Sequence, residues 1–405
     1  MKILIFYASY GGGHLTAAKS VKECLEKNYK DAEIKMVDCM KYINLNIEKV
    51  TTNAYKSVTK KAPKAWEAIY RISDKEPVLS ISSFGNKIMS QKLNKLLQEF
   101  NPDVVISTHP FSTQMIAYLK HKNKTNCLLA SIMTDYVPQN QWLVGHEYID
   151  CIFVASDETK QMVKNLGVSE DKIYATGIPV SNKIYEEYNK KDVIKDYGLE
   201  ENKDILLFFG GGEYGLVQKT TSDILQAFIN NLGNKFQMIV ISGKNEEVRE
   251  KFQEIVDENN ANDKVKVIGF SNEIPKLMKV STLAITKPGG LTTTECLNAN
   301  LPMIIINPIP GQEEDNAKYV EKNGAGIWIK TDKIKEMLMK EIGKTDLNIS
   351  FKSYDGIEKQ VKSILNDPKK IEQMRTNASK IAKRNSTKDI CEIIINIESG
   401  VEGLM

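Results

Sequence analysis

Residues Leu283–Ala317 read LAITKPGGLTTTECLNANLPMIIINPIPGQEEDNA, and the order of residue types in this stretch decides the fold. The apolar tetrad Leu283–Thr286 is short and stops at Lys287-Pro288-Gly289-Gly290, which predicts a buried parallel strand running into a tight loop. Gly289 and Gly290 let backbone approach a ligand closely. Thr292, Thr293 and Thr294 are expected to open the next helix, whose free N–H groups and positive dipole end hold phosphate. Glu295 is expected within that first turn, as a carboxylate that favours the dipole or accepts two ribose hydroxyls. The next strand, expected at 303–307, ends in Pro308-Ile309-Pro310-Gly311, after which Gln312, Glu313, Glu314, Asp315 and Asn316 crowd polar side chains together, as sugar hydroxyls require. Taken alone, each half also reads as an ordinary strand–turn–helix with a solvated acidic helix start. Consecutive parallel strands, however, direct their carboxyl ends into one crevice, so both loops address the same ligand.

The chain around this stretch has 405 residues, 41% of them hydrophobic, enough for two sizeable cores. Lys+Arg 55 against Asp+Glu 52 leaves a net charge of +3, which gives no reason to expect nucleic acid as a partner. Cys24, Cys39, Cys127, Cys151, Cys296 and Cys391 form no C-x-x-C pair, which argues for reduced thiols and against disulfides or zinc. No leader-like segment precedes the first strand and no apolar run reaches the roughly 20 residues of a spanning helix. The chain is therefore expected to be cytoplasmic, able to lie on a membrane but not to cross it.

At the N-terminus the apolar run 3–8 leads into Tyr10-Gly11-Gly12-Gly13-His14 and then into a helical pattern of Leu15, Ala18, Val21 and Leu25. As a dinucleotide fingerprint this is incomplete, because Thr16 stands where the last glycine belongs, although Asp38 after the second strand could serve as a ribose acid. His14 reads as a general base for a hydroxyl proton near neutral pH, or else as a capping or packing histidine. His109, after the strand at 104–108, is the other candidate base, while His121 and His146 read as surface or loop residues. Asp135 follows the strand at 128–134, where it could orient the base, bind an acceptor hydroxyl or simply cap the loop. Between residues 41 and 95 there are eleven Lys/Arg against four acids, interleaved with Tyr42, Tyr55, Trp66, Tyr70 and Phe84. Such a mixture suits an anionic membrane surface, and equally a solvated helical face.

KPGGLTTTEC followed by PGQEEDNA, with YGGGHLTAA at the start, resembles the diacylglycerol glycosyltransferases: the bacterial processive diacylglycerol glucosyltransferases and the plant monogalactosyldiacylglycerol synthases. The resemblance implies a glycosyltransferase B fold, α/β, with two doubly wound Rossmann-like domains facing a cleft. It also implies an inverting transfer of glucose or galactose from a UDP-hexose to diacylglycerol, with no metal or other cofactor. The expected division is an acceptor domain over 1–180, a linker over 181–203, a donor domain over 204–370 and helices over 371–405 that cross back to the first domain. His14 matches the motif histidine, and Asp135 is taken with it as catalytic. Gly211 and Gly212 match the diphosphate loop, and Phe270 lies in the loop that holds uracil through backbone atoms. Pro288, Gly289, Gly290, Thr292, Thr293, Thr294, Glu295, Gln312, Glu313 and Asn316 complete the expected donor site. The acceptor and membrane side is expected to draw on Gly12, Gly13, His109, Tyr136, Trp142, Lys60, Lys61, Lys64 and Trp66. One departure from the family is Gln139, where several relatives carry a histidine three residues before the tryptophan. Alternatives from other classes are a nucleotide-sugar epimerase of the same fold, an NAD-dependent enzyme, and a non-catalytic membrane sensor of UDP-sugars.

Overall fold

The computed structural model describes residues 1–9, 12–43, 84–210, 219–330 and 352–400. These form two parallel sheets of six strands each. The first comprises β1 (Lys2–Tyr7), β2 (Glu33–Asp38), β3 (Val104–Ser107), β4 (Leu128–Ile132), β5 (Cys151–Phe153) and β6 (Ile173–Tyr174), in the order β2-β1-β3-β4-β5-β6. The second comprises β7 (Asp204–Phe209), β8 (Phe236–Ile241), β9 (Val265–Ile268), β10 (Leu283–Thr286), β11 (Met303–Ile305) and β12 (Gly326–Trp328), in the order β12-β11-β10-β7-β8-β9. Helices cover both faces, so the central strands read as unbroken apolar runs rather than alternating ones. Ile3, Leu4, Ile5 and Phe6 of β1 are fully buried, as are Leu206, Leu207 and Phe208 of β7.

In an open parallel sheet a ligand crevice forms where successive connections leave to opposite sides. In the first sheet that point lies between β1 and β3, which pair in register from Ile3 against Val104 to Phe6 against Ser107. In the second it lies between β7 and β10, where Leu206 pairs with Leu283 and Phe208 with Ile285. His14, in the helix that follows β1, and His109, just after β3, thus share one switch point, and the carboxyl ends of β7 and β10 share the other.

The 181–203 stretch, expected as a linker, is packed rather than free. It carries the helix Lys190–Asp196, and its Ile184, Val193 and Ile194 are buried with Ile205 and Leu207 of the second sheet. The chain also returns to the first domain at its far end. In the helix Ser386–Glu398, Ile390, Cys391 and Ile394 are buried among Ile3, Ile5, Ala18 and Val21. The hydroxyls of Ser386 and Thr387 donate to the carbonyls of Ile178 and Val180, each at 2.9 Å, and so fasten the returning helix to the exit from the first sheet. All six cysteines are free and buried.

Candidate active site

Two helix starts from different domains meet at the cleft. Helix α1 (Gly12–Asn28) follows β1, and a Cβ placed on Gly13 would lie 3.6 Å from Cβ of Leu291, near the start of a second-domain helix. His14 is in the first turn of α1. Its Nδ1 lies 2.6 Å from the carbonyl oxygen of Thr108 and 3.2 Å from Oγ1 of Thr134. A carbonyl can only accept, so Nδ1 carries the hydrogen and Nε2 keeps its lone pair. Burial pushes the His14 imidazole down to about 4, partly opposed by the Thr108 hydrogen bond, so the ring is neutral at physiological pH. The Thr108 hydroxyl donates in return to the His14 carbonyl at 2.9 Å, locking the turn to the end of β3.

His109 has the opposite arrangement. It caps helix α2 (Pro110–His121), with Nδ1 accepting from the Phe111 amide at 3.2 Å, so in its neutral form Nε2 carries the hydrogen. Burial first, and the adjacent His14 second, hold it well below the ordinary histidine range. The two rings meet edge to face at 4.6 Å, and Trp142 lies 6.4 Å from His14. Of the two histidines at this switch point, His14 is therefore the one whose free nitrogen is a base. The sequence offers both histidines as candidate bases, and the family resemblance favours His14.

Asp135 does not orient His14. Its Oδ2 accepts from Nε2 of Gln312 at 2.7 Å and its Oδ1 from Nδ2 of Asn316 at 3.1 Å, both across the cleft. The orienting partner of His14 is the Thr108 carbonyl instead, which sequence reading passed over because a backbone atom has no residue signature. Burial raises the Asp135 carboxyl to about 6, with the two amides pulling it down and Glu313 pushing it up. Tyr136, expected on the acceptor side, also turns to the second domain. Its hydroxyl lies 2.9 Å from Oγ1 of Thr294, its ring stacks on Tyr319 at 4.4 Å, and its amide donates to Oδ1 of Asn316 at 3.0 Å.

On the donor side, helix α3 (Gly290–Asn298) begins earlier than expected, with Gly289 as its cap. The free N–H groups are thus those of Gly290, Leu291 and Thr292, since the Thr293 amide already bonds the Gly289 carbonyl at 2.9 Å. Thr293 and Thr294 are buried, and the Thr294 hydroxyl donates to the Gly290 carbonyl at 2.8 Å, so of the three threonines Thr292 alone is at the surface of the crevice. Glu295 falls in the second turn rather than the first, half-buried, with burial raising its carboxyl to about 7. Gly290 serves protein packing: a Cβ there would sit 1.8 Å from the Thr134 carbonyl oxygen. Gly289 is different, because a Cβ there would meet only Oε1 of Glu313 at 3.9 Å, leaving room for a ligand.

Helix α4 (Gln312–Lys322) presents the polar cluster. Glu313 Oε2 accepts from the Ile309 amide at 2.6 Å and closes the Pro308–Gly311 loop. Burial raises its carboxyl, while Lys287, a cation in the loop after β10 that sequence reading treated only as a boundary, draws it back. Asn316 is fully buried and also donates to the Pro288 carbonyl at 3.1 Å, so it braces the loop after β10 against the start of α4 and presents no free amide to the crevice. Phe270 is 59% exposed, with the Lys244 ammonium 5.1 Å from its ring. Gly12 has open space around it. Gly211, Gly212, Lys60, Lys61, Lys64 and Trp66 lie outside the described residues. Among the described residues there is no cluster of three or more His, Cys, Asp or Glu that could hold a metal ion, and no helix long and apolar enough to cross a membrane.

Comparison with known proteins bears on the same two halves. Residues 14–180 match the family of monogalactosyldiacylglycerol (MGDG) synthase, and residues 205–366 match the glycosyltransferase family 28 C-terminal domain. A processive diacylglycerol beta-glucosyltransferase of Bacillus pumilus is 29% identical over 97% of this chain and 94% of its own length. One from Bacillus cereus is 30% identical over 82% of each chain. Among solved structures, MurG of Acinetobacter baumannii superposes with a TM-score of 0.62 at 13% identity, covering 98% of this chain and 99% of that one. The MnaA–UDP structure from S. aureus gives 0.62 at 12% identity, covering 100% and 98%. These structural matches fix the architecture as the glycosyltransferase B fold. The sequence matches go further: the chain belongs to the diacylglycerol glycosyltransferase family of sugar-transferring enzymes.

Proposed function

We propose that this chain moves a hexose from a UDP-sugar to the free hydroxyl of diacylglycerol, with inversion at the anomeric carbon and without a metal. The observation that carries the reading is His14. Its Nδ1–H is fixed by the Thr108 carbonyl, its Nε2 keeps a lone pair, and its helix start abuts that of α3, so a base and a phosphate-binding helix terminus face one crevice. The acceptor hydroxyl gives its proton to Nε2 as its oxygen attacks the anomeric carbon. Negative charge then grows on the leaving diphosphate, where the free N–H groups of Gly290, Leu291 and Thr292 and the positive end of α3 stabilise it. The relatives' names support diacylglycerol as acceptor, and UDP as carrier is supported by structural neighbours solved with UDP or UDP-glucose.

The test is incubation with radiolabelled UDP-glucose or UDP-galactose and diacylglycerol vesicles, followed by separation of lipid products. Label in a glycolipid is the expected result. Label remaining wholly in an epimerised nucleotide sugar would place the chain with the epimerases, and binding without turnover would make it a sensor.

The same reading brings the protein to a membrane surface through the basic 41–95 segment. Each cation near an anionic surface contributes about 1 kcal/mol. Replacing Lys60, Lys61 and Lys64 together by glutamate is thus expected to reduce co-sedimentation with anionic vesicles, most clearly at low salt. Equal pelleting of parent and variant at every ionic strength would reduce the segment to a solvated face.

A further inference from the structure

The three consecutive residues Thr134, Asp135 and Tyr136 leave the end of β4 and all engage the second domain. The Thr134 carbonyl presses on Gly290, the Asp135 carboxylate takes the amides of Gln312 and Asn316, and Tyr136 reaches Thr294 and Asn316. We propose that Asp135 is a positioning residue for donor recognition: from the acceptor-side domain it fixes the side-chain amides of Gln312 and Asn316, and so sets which atoms the second domain turns toward the donor sugar. This deepens the transferase reading and rests on it.

The pattern of donors and acceptors fixes both amides. Asn316 is fully buried, with Nδ2 donating to Asp135 Oδ1 and to the Pro288 carbonyl, each at 3.1 Å, and Oδ1 accepting from the Tyr136 amide at 3.0 Å. A flipped amide would set its oxygen against two acceptors and its NH₂ against a donor, so one orientation is enforced. Gln312 donates one Nε2 hydrogen to Asp135 Oδ2 at 2.7 Å, which fixes the orientation of the amide and leaves Oε1 as its acceptor, the end suited to a sugar hydroxyl. Only an acceptor-only group can receive two NH₂ groups at once, one on each of its terminal atoms, so a carboxylate performs this task and an amide cannot. Asp135 itself is 4% exposed, with both carboxylate oxygens taken by amides of the second domain, so its influence on the donor runs through Gln312. The bond from Asn316 to the Pro288 carbonyl lies within the second domain and does not involve Asp135, so the loop after β10 keeps this tie when Asp135 is changed.

The experiment compares the purified full chain with Asp135→Asn. It measures KM and kcat for UDP-glucose and UDP-galactose in transfer to diacylglycerol vesicles, and calorimetric affinities for UDP alone and for each UDP-sugar. Losing a hydrogen bond to a charged group should raise the UDP-sugar KM roughly tenfold to a hundredfold, with the affinity for UDP alone changed by no more than about twofold. The double variant Asp135→Asn/Gln312→Glu restores the complement, because the amide introduced at position 135 donates to the new carboxylate while still accepting from Asn316, and should recover most of the UDP-sugar KM. Should Asp135→Asn fail to fold, Gln312→Glu carries the test: alone it sets two carboxylates together and should weaken UDP-sugar binding, which the double variant reverses. An unchanged UDP-sugar KM, an equal loss for UDP and UDP-sugar, or a double variant no better than the singles would overturn the proposal. Absence of transfer by the parent chain would instead defeat the transferase reading, and the calorimetric contrast would still decide the role of Asp135.

Discussion

Replacing His14 by alanine is expected to lower transfer about 10²–10⁴-fold, the usual contribution of a general base. UDP-sugar affinity and melting temperature should stay near those of the parent, because the donor loops belong to the other domain and His14 is half-buried at the cleft mouth. The acid dependence follows from the ring's surroundings. The base is active when neutral, so its contribution is lost as pH falls through the folded-state value of about 4, well below the ordinary histidine range from which the sequence reading starts. A rate limb near pH 6–7 would belong to Asp135 or Glu295, whose carboxyls burial raises to about 6 and about 7, and it would survive in the residual activity of the alanine variant. Near-parent turnover in His14→Ala would move the base elsewhere, with His109 the next histidine at the same switch point.

The second large effect is expected at Gly290. A methyl group there would lie 1.8 Å from the Thr134 carbonyl oxygen and 2.9 Å from its carbon, and backbone cannot yield as a side-chain tip would. Overpacking in a closed core typically costs about 1–3 kcal/mol. Here the clash is between domains, so separation relieves it. Gly290→Ala should therefore leave both domains folded by circular dichroism, increase the radius of gyration in small-angle scattering, and abolish most transfer. Gly289→Ala is the matched control, since its methyl meets nothing closer than 3.9 Å in the protein. It should keep the parent's dimensions and lose affinity for UDP. Equal dimensions and equal activity in Gly290→Ala would show that the two domains do not work in the closed arrangement.

The contrast between these neighbouring glycines shows where sequence reading reaches its limit. Leu283–Thr286 was legible as a strand because a short apolar run bounded by Pro-Gly-Gly is a local signal, and the strand has those bounds. That the chain turns at these glycines was equally local, although Gly290 already belongs to the helix that Gly289 caps. What Gly290 meets is not, since Thr134 is brought to it only by the packing of one domain on the other. Asp135 and Asn316 are 181 positions apart in the chain, and no periodicity or spacing announces their bond. Read along the sequence, Asp135 could be assigned to the nearest chemistry, which was His14, and Asn316 to the polar run around it. The Glu295 offset has a smaller cause: threonine is a favoured helix cap, so the helix was expected to open at Thr292, whereas the chain enters it at Gly290.

The proposed reading, with a base at His14 and a leaving diphosphate at α3, is a single displacement in which the acceptor oxygen attacks opposite the departing group. Its stereochemical consequence is the anomeric configuration of the glycolipid formed from α-linked UDP-hexose and diacylglycerol, read by proton NMR on the purified lipid. A β-glycosyl diacylglycerol is the predicted product, while an α-linked lipid, or a mixture of anomers, would contradict single displacement from His14.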